Sequence, residues 1–570
     1  MSNTQNTIFL TVKNKCGLLL FALLFLLPEW LFTFTTDYAT FPYRFFTLAL
    51  STSLFLLLLA LFRNHIKVFV IIGSIITLVL GSVAISTALF YNTKINISSF
   101  AALMNTNPEE SKEFIVGYMV PVISAFIIVL FIFLIVFRFT PAKTGNAFAR
   151  KSIIVALVLC VVSSCYFVVG RKMSHVKYVK SYIYKEVYPI YFFKTFSVYI
   201  RENNRMKENL ELAKTFSFQA SSNQTDSLKN IFVLVIGESS RSANWSAYGY
   251  SRATTPLLDK RDNIALFTDA IASHNSTMRS VTINITPVGA ANFEDHSKYR
   301  SIMQLFKEVG YKTYWLSNQN DFSAAIVRIH MLDADSVSCT TGSSDISALY
   351  DNVLLSPFTE LSAQNTNTFF VIHLNGNHWN YGKRYPKEFE KFGNGAIAKT
   401  DRTEYFNVKE KQSITDIYDN SILYQDYILD SLMNILDHTN KPGCLLYVSD
   451  HGEDLFDDCR NKIGHGASFS SAQFKVPMFL YANKLYNEQN PGTLALAISN
   501  KDKKIIAGEN IFYTLAQLAH ISYPMQNLKQ SIVANEFEEQ KKRMVLLPDN
   551  SVAAFEDLVK EENKSLKKCK

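Results

Sequence analysis

The sequence has no dense block of Lys and Arg, no internal repeat and few cysteines. Without a basic block, the net charge of +8 over 570 residues does not predict a nucleic-acid partner, and beside a membrane it favours anionic lipid surfaces. The lack of repeats excludes a repeat architecture. Of the 7 cysteines, Cys339 and Cys459 fall in loop-like sequence, where they either pair in an oxidising compartment or remain free thiols.

Long apolar runs are present, but only in the first 170 residues. A chain of 570 residues is too long for one compact core, so at least two domains are expected. Each apolar run approaches the roughly 20 residues that a membrane-spanning helix needs, whereas a cleaved signal peptide gives one shorter run. The runs are 16–34, 45–62, 68–90, 115–137 and 153–169. Residues 1–170 are therefore predicted to form a transmembrane bundle of five helices.

Basic residues lie in alternate loops of this predicted bundle. They precede the first run and follow the second and the fourth, as in Lys13, Lys15, Arg63, Lys67, Arg138 and Lys143. Because basic loops stay in the cytoplasm, an odd number of spans places everything after residue 170 on the outer side, the periplasm of a Gram-negative cell. We expect a multi-pass inner-membrane protein in contact with membrane lipids.

The rest of the chain divides into a connector, 171–228, and a domain, 229–570. In the connector, 182–200 mixes aromatic residues with cations and predicts either a helix in the membrane interface or an amphipathic helix packed on the soluble domain. After residue 229, strands such as 231–237, 368–374 and 444–449 alternate with helical segments, which predicts an α/β domain with a mostly parallel sheet. The charged tail, 561–570, is predicted to fray.

Metal-binding side chains follow two of these apolar strands. Glu238 ends the first, Asp450 and His451 end another, and His465 comes shortly after. Ligands of open α/β sheets bind outside the carboxyl ends of the strands. Two carboxylates and an imidazole there suit a divalent cation, most plausibly zinc. This pattern predicts a metal-dependent hydrolase or transferase.

Two further segments offer candidate site residues. His378 lies just beyond the strand 368–374, although a lone loop histidine is more often a surface residue. The segment 273–281 opens an apolar stretch and carries Ser276 and Thr277. A hydroxyl at a helix N-terminus meets N–H groups that suit a phosphoryl group, and zinc would activate it as a nucleophile. The alternative is an ordinary N-cap Ser or Thr.

Together these segments resemble the inner-membrane phosphoethanolamine transferases, which belong to the alkaline phosphatase/sulfatase superfamily. The opening motif Gly237-Glu238-Ser-Ser-Arg241 is followed, in the family's order, by further matches. These are 315–319, 376–378, 383–386, 418–421, 449–453 (Ser-Asp-His-Gly-Glu) and His465-Gly466. The five predicted spans also match the family's architecture, so the resemblance covers nearly the whole chain. It implies a soluble domain of the alkaline phosphatase/sulfatase type.

The resemblance also implies the residues' roles. Zinc, as one ion or two, would be held by Glu238, Thr277, Asp450 and His451, with Thr277 as the nucleophile that transiently carries phosphoethanolamine. His378 and His465 would hold the phosphoryl group or a second zinc and assist proton transfer. In the loop 91–114, Thr106 and Glu110 match a segment that contacts the lipid donor, although Ala102 stands where the family has Asn.

Two departures bear on the acceptor and the nucleophile. Lipid A-type members carry Cys-Gly-Thr-x-Thr where this chain has Ser273-His274-Asn275-Ser276-Thr277, which leaves Ser276 as an alternate nucleophile. Those members also have several disulfides in the soluble domain, for which this chain has too few cysteines. The small number of cysteines favours a branch that modifies lipopolysaccharide core sugars or another glycan rather than lipid A.

The implied reaction is transfer of phosphoethanolamine from phosphatidylethanolamine to a lipopolysaccharide-type glycolipid, at a core sugar or lipid A, through a covalent phospho-threonine. Alternatives of the same fold are a phosphoglycerol transferase and a sulfatase. A sulfatase needs Cys or Ser followed by x-Pro-x-Arg, which is absent near residue 277. A non-catalytic membrane scaffold is a third possibility, but every proposed metal ligand is present.

Overall fold

A computed structural model describes most of the chain. The described residues are 15–34, 41–81, 130–166, 187–213, 215–222, 229–319, 325–339, 350–393 and 408–567. They divide into two compact units, one ending at Glu202 and one continuing from Asn203 to the C-terminal end. Thr106 and Glu110, the predicted donor contacts, lie outside the described residues.

The described part of the first unit is built mainly from apolar helices. They are α1 (Lys15–Phe25), α2 (Leu27–Phe34), α3 (Phe41–Leu61), α4 (Ile66–Ile76, continued by a π turn, Thr77–Gly81), α5 (Leu130–Phe139) and α6 (Asn146–Cys165). A further helix, α7 (Ile190–Ala213), begins in this unit and continues past Glu202 into the second. The predicted run 16–34 is thus two helices. Pro28 explains the break, because proline has no N–H and is tolerated only in the first turn of a helix.

Two of these helices, within the described residues, are long and apolar enough to cross a membrane: Arg44–Leu61 of α3, and α6. The first coincides with the predicted run 45–62 to within one residue at each end, whereas α6 overlaps the run 153–169 but begins seven residues before it. The Ser53 hydroxyl of α3 donates to the Ala156 carbonyl of α6 at 2.8 Å, and small residues of this kind let membrane helices approach closely. The runs 68–90 and 115–137 extend outside the described residues, so the number of five spans stays a prediction.

The second unit is organised around a mixed seven-stranded sheet within the described residues. Its strands are β1 (Ile231–Gly237), β2 (Ile264–Leu266), β3 (Lys312–Ser317), β4 (Ser336–Cys339), β5 (Thr368–His373), β6 (Gly443–Ser449) and β7 (Met478–Ala482). The order is β2-β7-β6-β1-β5-β3-β4. Neighbours from β6 to β4 pair in parallel, whereas β7 runs antiparallel to both β2 and β6.

Helices cover both faces of this sheet. Along β1, Phe232, Leu234 and Ile236 face one apolar core, and Ile231 and Val235 face another. A strand buried on both faces must be apolar at every position, which explains the continuous apolar runs in the sequence. The helices of this unit are α8 (Thr277–Ile285), α9 (Ile302–Glu308), α10 (Ala325–Met331), α11 (Leu355–Ser362), α12 (Lys411–Asp437), α13 (Lys484–Gln489), α14 (Thr493–Ser499), α15 (Ala507–Leu518) and α16 (Phe555–Leu566).

One expectation about the soluble domain was wrong. The tail does not fray from residue 561, because α16 continues to Leu566 and its buried Glu562 carboxylate lies 2.7 Å from Arg460. The alternatives left open for Cys339 and Cys459 are also decided: Cys459 is disulfide-bonded, and Cys339 is not in a disulfide. Charge composition and loop-like sequence do not reveal which residues a tertiary fold will bury or bring together.

Candidate active site and metal centre

Glu238, Asp450 and His451 meet at the carboxyl edge of the sheet. Strands β1 and β6 are parallel neighbours, and Gly237 is paired with Ser449. The residues that follow these two positions therefore leave the sheet side by side. All three side chains are fully buried. The structure thus brings together the three metal ligands predicted at the strand ends.

A left-handed residue completes the turn after β1. Ser239 has φ of 55°, which is uncommon for a residue with a side chain. In this conformation its N–H donates to Asp450 Oδ1 at 3.0 Å, and its hydroxyl donates to Glu238 Oε1 at 2.6 Å. Ser239 therefore donates one hydrogen bond to each of the two carboxylates. Its left-handed backbone conformation is the strained feature that allows both contacts.

His451 presents one ring nitrogen to the two carboxylates. Its Nε2 lies 3.4 Å from Glu238 Oε1 and 3.3 Å from Asp450 Oδ2. Its Nδ1 lies 2.9 Å from the Gly452 carbonyl, which can only accept, so Nδ1 carries the proton and Nε2 has the lone pair. Burial lowers the pKa of His451 to about 3. The imidazole is therefore neutral near pH 7, as a metal ligand must be.

The Asp450 carboxylate fits a cation. Its Oδ2 is buried and, within the described residues, accepts no hydrogen bond. Burial and the neighbouring Glu238 both raise the pKa of Asp450 well above its ordinary value. A buried carboxylate oxygen without a partner is costly unless a positive charge compensates it. Two carboxylates and a neutral imidazole around one point are a donor set that zinc accepts.

Thr277 joins this cluster. It is the first residue of α8, and its Oγ1 donates to Glu238 Oε2 at 3.0 Å and lies 3.3 Å from His451 Nε2. Ser276, the alternate nucleophile, has its Oγ 2.9 Å from His274 Nδ1 instead. Of the two hydroxyls, Thr277 is the one that contacts the candidate ligands.

His465 lies beside His451. The two ring centres are 3.9 Å apart, and the ligand atoms of Glu238, His451 and His465 lie within 4.8 Å of one another. His465 Nδ1 is 2.7 Å from Glu453 Oε2. Burial by itself would lower the pKa of His465, but Glu453 raises it above the ordinary value. His465 thus belongs to the site, with one nitrogen held by Glu453.

Glu453 is a functional residue that the sequence analysis quoted only as part of a motif. Its second oxygen, Oε1, accepts a hydrogen bond of 2.6 Å from the Tyr381 hydroxyl. The carboxylate is buried and holds the ring of His465 through its Nδ1. Its position two residues after His451, in the same turn beyond β6, was the signal available in the sequence.

Gln319 was missed as well. It follows β3, and its Nε2 donates to Glu238 Oε2 and to the Leu374 carbonyl, both at 2.9 Å. The amide therefore fixes the oxygen of Glu238 that receives the Thr277 hydroxyl. An amide side chain carries no charge and is common in loops, so only its place at the same sheet edge could have indicated this role.

His378 lies in the loop after β5 and is half-buried. That loop is shaped by the buried Asp351, which accepts hydrogen bonds from the N–H groups of Asn375 and Gly376 at 2.8 and 2.9 Å. His378 is near enough to Glu238 for its charge to influence that carboxyl. His378 therefore lies near the cluster of Glu238, Asp450 and His451.

The chain is similar in sequence and in fold to known phosphoethanolamine transferases. The phosphoethanolamine transferase EptC of Escherichia coli K12 is 30% identical over 318 residues, which are 54% of each chain, so this chain matches about half the length of that relative. The crystal structure of the C-terminal periplasmic domain of EptC from Escherichia coli, in complex with Zn, is 27% identical, with a TM-score of 0.53 over 59% of this chain and 95% of that domain.

A second solved structure extends the likeness to the N-terminal helices. The integral membrane protein lipooligosaccharide phosphoethanolamine transferase A from Neisseria meningitidis has the same fold, with a TM-score of 0.68 and 20% identity over 90% of this chain and 97% of that one. A family model described as Sulfatase matches residues 230–521, which include Glu238, Thr277, Asp450, His451 and His465. Because this match covers more than half of the 570 residues, the chain belongs to the sulfatase family.

Proposed function

We propose that this protein is a zinc-dependent phosphoethanolamine transferase of the inner membrane. It takes phosphoethanolamine from phosphatidylethanolamine and passes it to a lipopolysaccharide-type glycolipid by way of Thr277. The observation that carries the proposal is the position of the Thr277 hydroxyl, 3.0 Å from Glu238 and 3.3 Å from His451. A hydroxyl among metal-binding groups is the arrangement that nucleophilic catalysis requires.

Zinc would be held by Glu238, Asp450, His451 and the Thr277 oxygen. The unpartnered Asp450 Oδ2 and the neutral His451 support this assignment, as does the zinc complex of the EptC domain. When bound, zinc would lower the pKa of the threonine hydroxyl and neutralise charge that develops on the phosphoryl group. We assign one ion to this cluster, and a second would fall to His378 and His465.

In the first half of the reaction, Thr277 Oγ1 attacks the phosphorus of the donor lipid. The bond between phosphorus and Thr277 forms, and the bond between phosphorus and the glycerol oxygen breaks, so diacylglycerol leaves. The hydroxyl proton lies on the hydrogen bond to Glu238 Oε2 and would be lost to solvent before the attack, because bound zinc would lower the pKa of this hydroxyl. Thr277 therefore enters the first half and leaves the second half as the same deprotonated oxygen. The leaving oxygen needs a proton, and His465 is the group that supplies it, because Glu453 holds its Nδ1 and leaves Nε2 for the site.

In the second half, an acceptor oxygen attacks the phospho-threonine from the position that diacylglycerol vacated. Its proton passes to His465, which restores the protonation state of the enzyme, and the bond between Thr277 and phosphorus breaks. His378, in the half-buried loop after β5, is placed to contact the transferred group. Thr106 and Glu110 would contact the donor lipid in the loop 91–114.

The acceptor is inferred from the relatives and from the cysteine content of the chain. The relatives named above are phosphoethanolamine transferases, and one of them is named for lipooligosaccharide. The small number of cysteines favours core sugars or another glycan over lipid A. We therefore propose a lipopolysaccharide core sugar as the acceptor, with lipid A as the alternative.

Mass spectrometry of lipopolysaccharide tests this function. Cells that express the chain should carry a mass gain equal to phosphoethanolamine, and the fragment that carries it names the acceptor. Cells with Thr277→Ala at the same level of protein should lack it. A gain equal to phosphoglycerol would show the alternative activity of the same fold, and unchanged glycolipids in cells with abundant protein would overturn the proposal.

The location of the domains is part of the same proposal. Residues 1–170 would span the membrane with five helices, and residues 229–570 would form the periplasmic catalytic domain. Residues 171–228 would connect the two. A reporter that is active only in the periplasm, fused after Lys570, should be active, whereas a cytoplasmic reporter at the same point should be silent. The reverse result would place the domain in the cytoplasm and exclude lipopolysaccharide as the acceptor.

A further inference from the structure

We propose that His274 positions the Ser276 hydroxyl so that it donates a hydrogen bond to the phosphoryl group that Thr277 accepts. This inference rests on the proposed function and concerns the same site. Ser276 would be a contact of the transferred group, and His274 would be a positioning residue that acts through Ser276. Lipid A-type members have Gly where this chain has His274, so a residue without a side chain stands there in place of this ring.

The Ser276 side chain is engaged by His274 rather than by the helix. Ser276 is the N-cap residue of α8, yet its side chain makes no capping hydrogen bond. A serine at this position usually accepts from an N–H of the first turn. Here Ser276 Oγ lies 2.9 Å from His274 Nδ1. The loss of this cap destabilises the helix start, so the contact with His274 indicates another use for the hydroxyl.

The ring of His274 is fully buried, and the backbone that carries it is fixed. The backbone carbonyl of His274 accepts the Ser280 hydroxyl at 2.8 Å. The preceding residue, Ser273, is fixed through its carbonyl by the Leu546 N–H at 2.9 Å and through its hydroxyl by the Gly508 N–H at 3.2 Å. A ring anchored in this way can set the direction of the hydroxyl that it contacts.

The surroundings of His274 favour one tautomer. Its Nε2 is buried and has no hydrogen-bond partner within the described residues. Buried N–H groups are left without partners more rarely than acceptors are, so the proton is assigned to Nδ1. Burial, and then Arg279, His451 and His465, lower the pKa of His274 well below its ordinary value, so the ring carries one proton only.

This tautomer leaves Ser276 as a donor. A hydroxyl accepts and donates at once. If His274 Nδ1–H donates to Ser276 Oγ, the proton of Ser276 remains for another acceptor. Ser276 is half-buried, so its oxygen lies at the margin of the site rather than inside the core.

The position of Ser276 makes a phosphoryl oxygen the natural acceptor. It directly precedes Thr277, whose Oγ1 contacts Glu238 and His451. On its other side is the turn after His465: a Cβ built on Gly466 would lie 3.9 Å from Ser276 Cβ. A group attached to Thr277 is therefore within reach of the Ser276 hydroxyl, and a donor aimed at an oxygen that gains charge stabilises the transition state.

Four variants of the full-length protein in detergent test the pair. Turnover is measured as diacylglycerol released from phosphatidylethanolamine with an acceptor glycolipid present. S276A and H274F should each lower kcat about tenfold or more, with KM for the donor within about threefold. The double variant should fall no further than the lower single variant, because both changes remove one interaction. H274N should retain most of the turnover, because the Asn amide reproduces the Nδ1 position.

Matched controls come from a similar pair elsewhere in the domain. Ser301 is the N-cap of α9, makes no side-chain cap, and donates to the carbonyl of the buried His330. S301A and H330F therefore repeat both chemical changes outside the site and should leave kcat within about threefold. Zinc content should equal that of the wild type in all variants. If H274F does not accumulate, H274Q replaces it, because a Gln amide reaches the Nε2 position and not the Nδ1 position.

Several results would overturn the inference. Wild-type turnover by S276A would show that the hydroxyl is not used. Multiplicative losses in the double variant, or equal losses in H274N and H274F, would show that His274 supports the fold. Loss of zinc from H274F would show that His274 supports the metal site rather than Ser276. Failure of the proposed function is distinguishable, because the wild type and the S301A and H330F controls would then also release no diacylglycerol.

Discussion

The Thr277 hydroxyl donates to Glu238 Oε2 at 3.0 Å, although 39 residues separate the two in the chain. Glu238 leaves the sheet after β1, and Thr277 opens α8. The contact therefore joins a strand end to a helix N-terminus, which are the two places where an α/β fold exposes polar backbone and side-chain groups. The proposed nucleophile and a proposed metal ligand meet there, and Gln319, from the end of β3, donates to the same Glu238 oxygen at 2.9 Å.

Two replacements of Thr277 distinguish the contribution of its hydroxyl from that of its methyl group. T277A should lose transfer to below about one ten-thousandth of the wild-type kcat, since the reaction then has no nucleophile. T277S keeps the hydroxyl and should retain measurable transfer, reduced by the freer rotation of serine. The measurement is phosphoethanolamine transfer by the purified full-length protein. Equal loss in T277S and T277A, with both folded, would contradict the role of the hydroxyl.

Removal of the Asp450 carboxylate should remove the metal. D450N should bind zinc at least about tenfold more weakly and lose activity with it, because a ligand is lost and the buried pair with Glu238 is disturbed. Metal analysis of the purified protein measures this. D430N is the control, since Asp430 pairs with Arg261 at 2.5 Å away from the site and should not affect zinc. Full zinc in D450N would remove Asp450 from the ligand set.

Chelation of the wild-type protein gives a related prediction. Prolonged dialysis against a strong chelator should abolish transfer, and added zinc should restore it. The unfolding temperature should also fall, because a bound cation stabilises only the folded state, in which the buried carboxylates are assembled. Activity that persists in protein shown by analysis to be free of metal would exclude a catalytic cation.

Glu453 should act through His465. E453Q keeps the size of the side chain and its contact with Tyr381 but weakens the 2.7 Å contact with His465 Nδ1. We expect kcat to fall about tenfold to a hundredfold with zinc content unchanged. Y381F removes only the hydrogen bond to the other oxygen and should cost less. A larger loss in Y381F than in E453Q would show that Glu453 serves the fold rather than the histidine.

Asp426 should make stability depend on pH. Burial raises its pKa to about 7 even though the N–H groups of Leu257 and Leu258 donate to it. The folded state therefore holds the proton more tightly than the unfolded state, whose Asp pKa is about 3.9. The stabilising contribution is complete below about pH 3.9 and is lost as pH rises through about 7.

The unfolding temperature of the full-length protein, measured between pH 5 and 8, tests this direction. D426N does not titrate, so its unfolding temperature should fall less over this range than that of the wild type, whatever its value at pH 5. Each unit of pKa difference corresponds to about 1.4 kcal/mol. Parallel curves for the two proteins would show that Asp426 does not carry the pH dependence.

The part of the site that lies at strand ends was predictable from the sequence. Continuous apolar runs identify buried strands, and the polar residues that follow them must lie at one edge, which located Glu238, Asp450 and His451. The first turn of α8 was predictable for a similar reason. Gln319 and Glu453 were not assigned, because their roles depend on which oxygen or nitrogen they contact, and spacing along the chain does not determine that.

Contacts made by loops and chain ends were beyond the sequence analysis. Cys339 and Cys459 both lie in loop-like sequence, but only the folded arrangement shows that Cys459 is in a disulfide and Cys339 is not. Glu562 is one of many charged residues near the C-terminus, and its burial depends on Arg460 and on the N–H of Ser471. Such pairings are set by tertiary packing, which local composition does not encode.

Peptide mapping of the enzyme incubated with phosphatidylethanolamine alone tests the central claim most directly. Without an acceptor, the reaction should stop after its first half, and mass spectrometry should find phosphoethanolamine on Thr277. The same experiment with T277A should find none on the segment 273–281. Phosphoethanolamine on Ser276, or steady transfer with no modified residue anywhere in the mapped chain, would contradict the account.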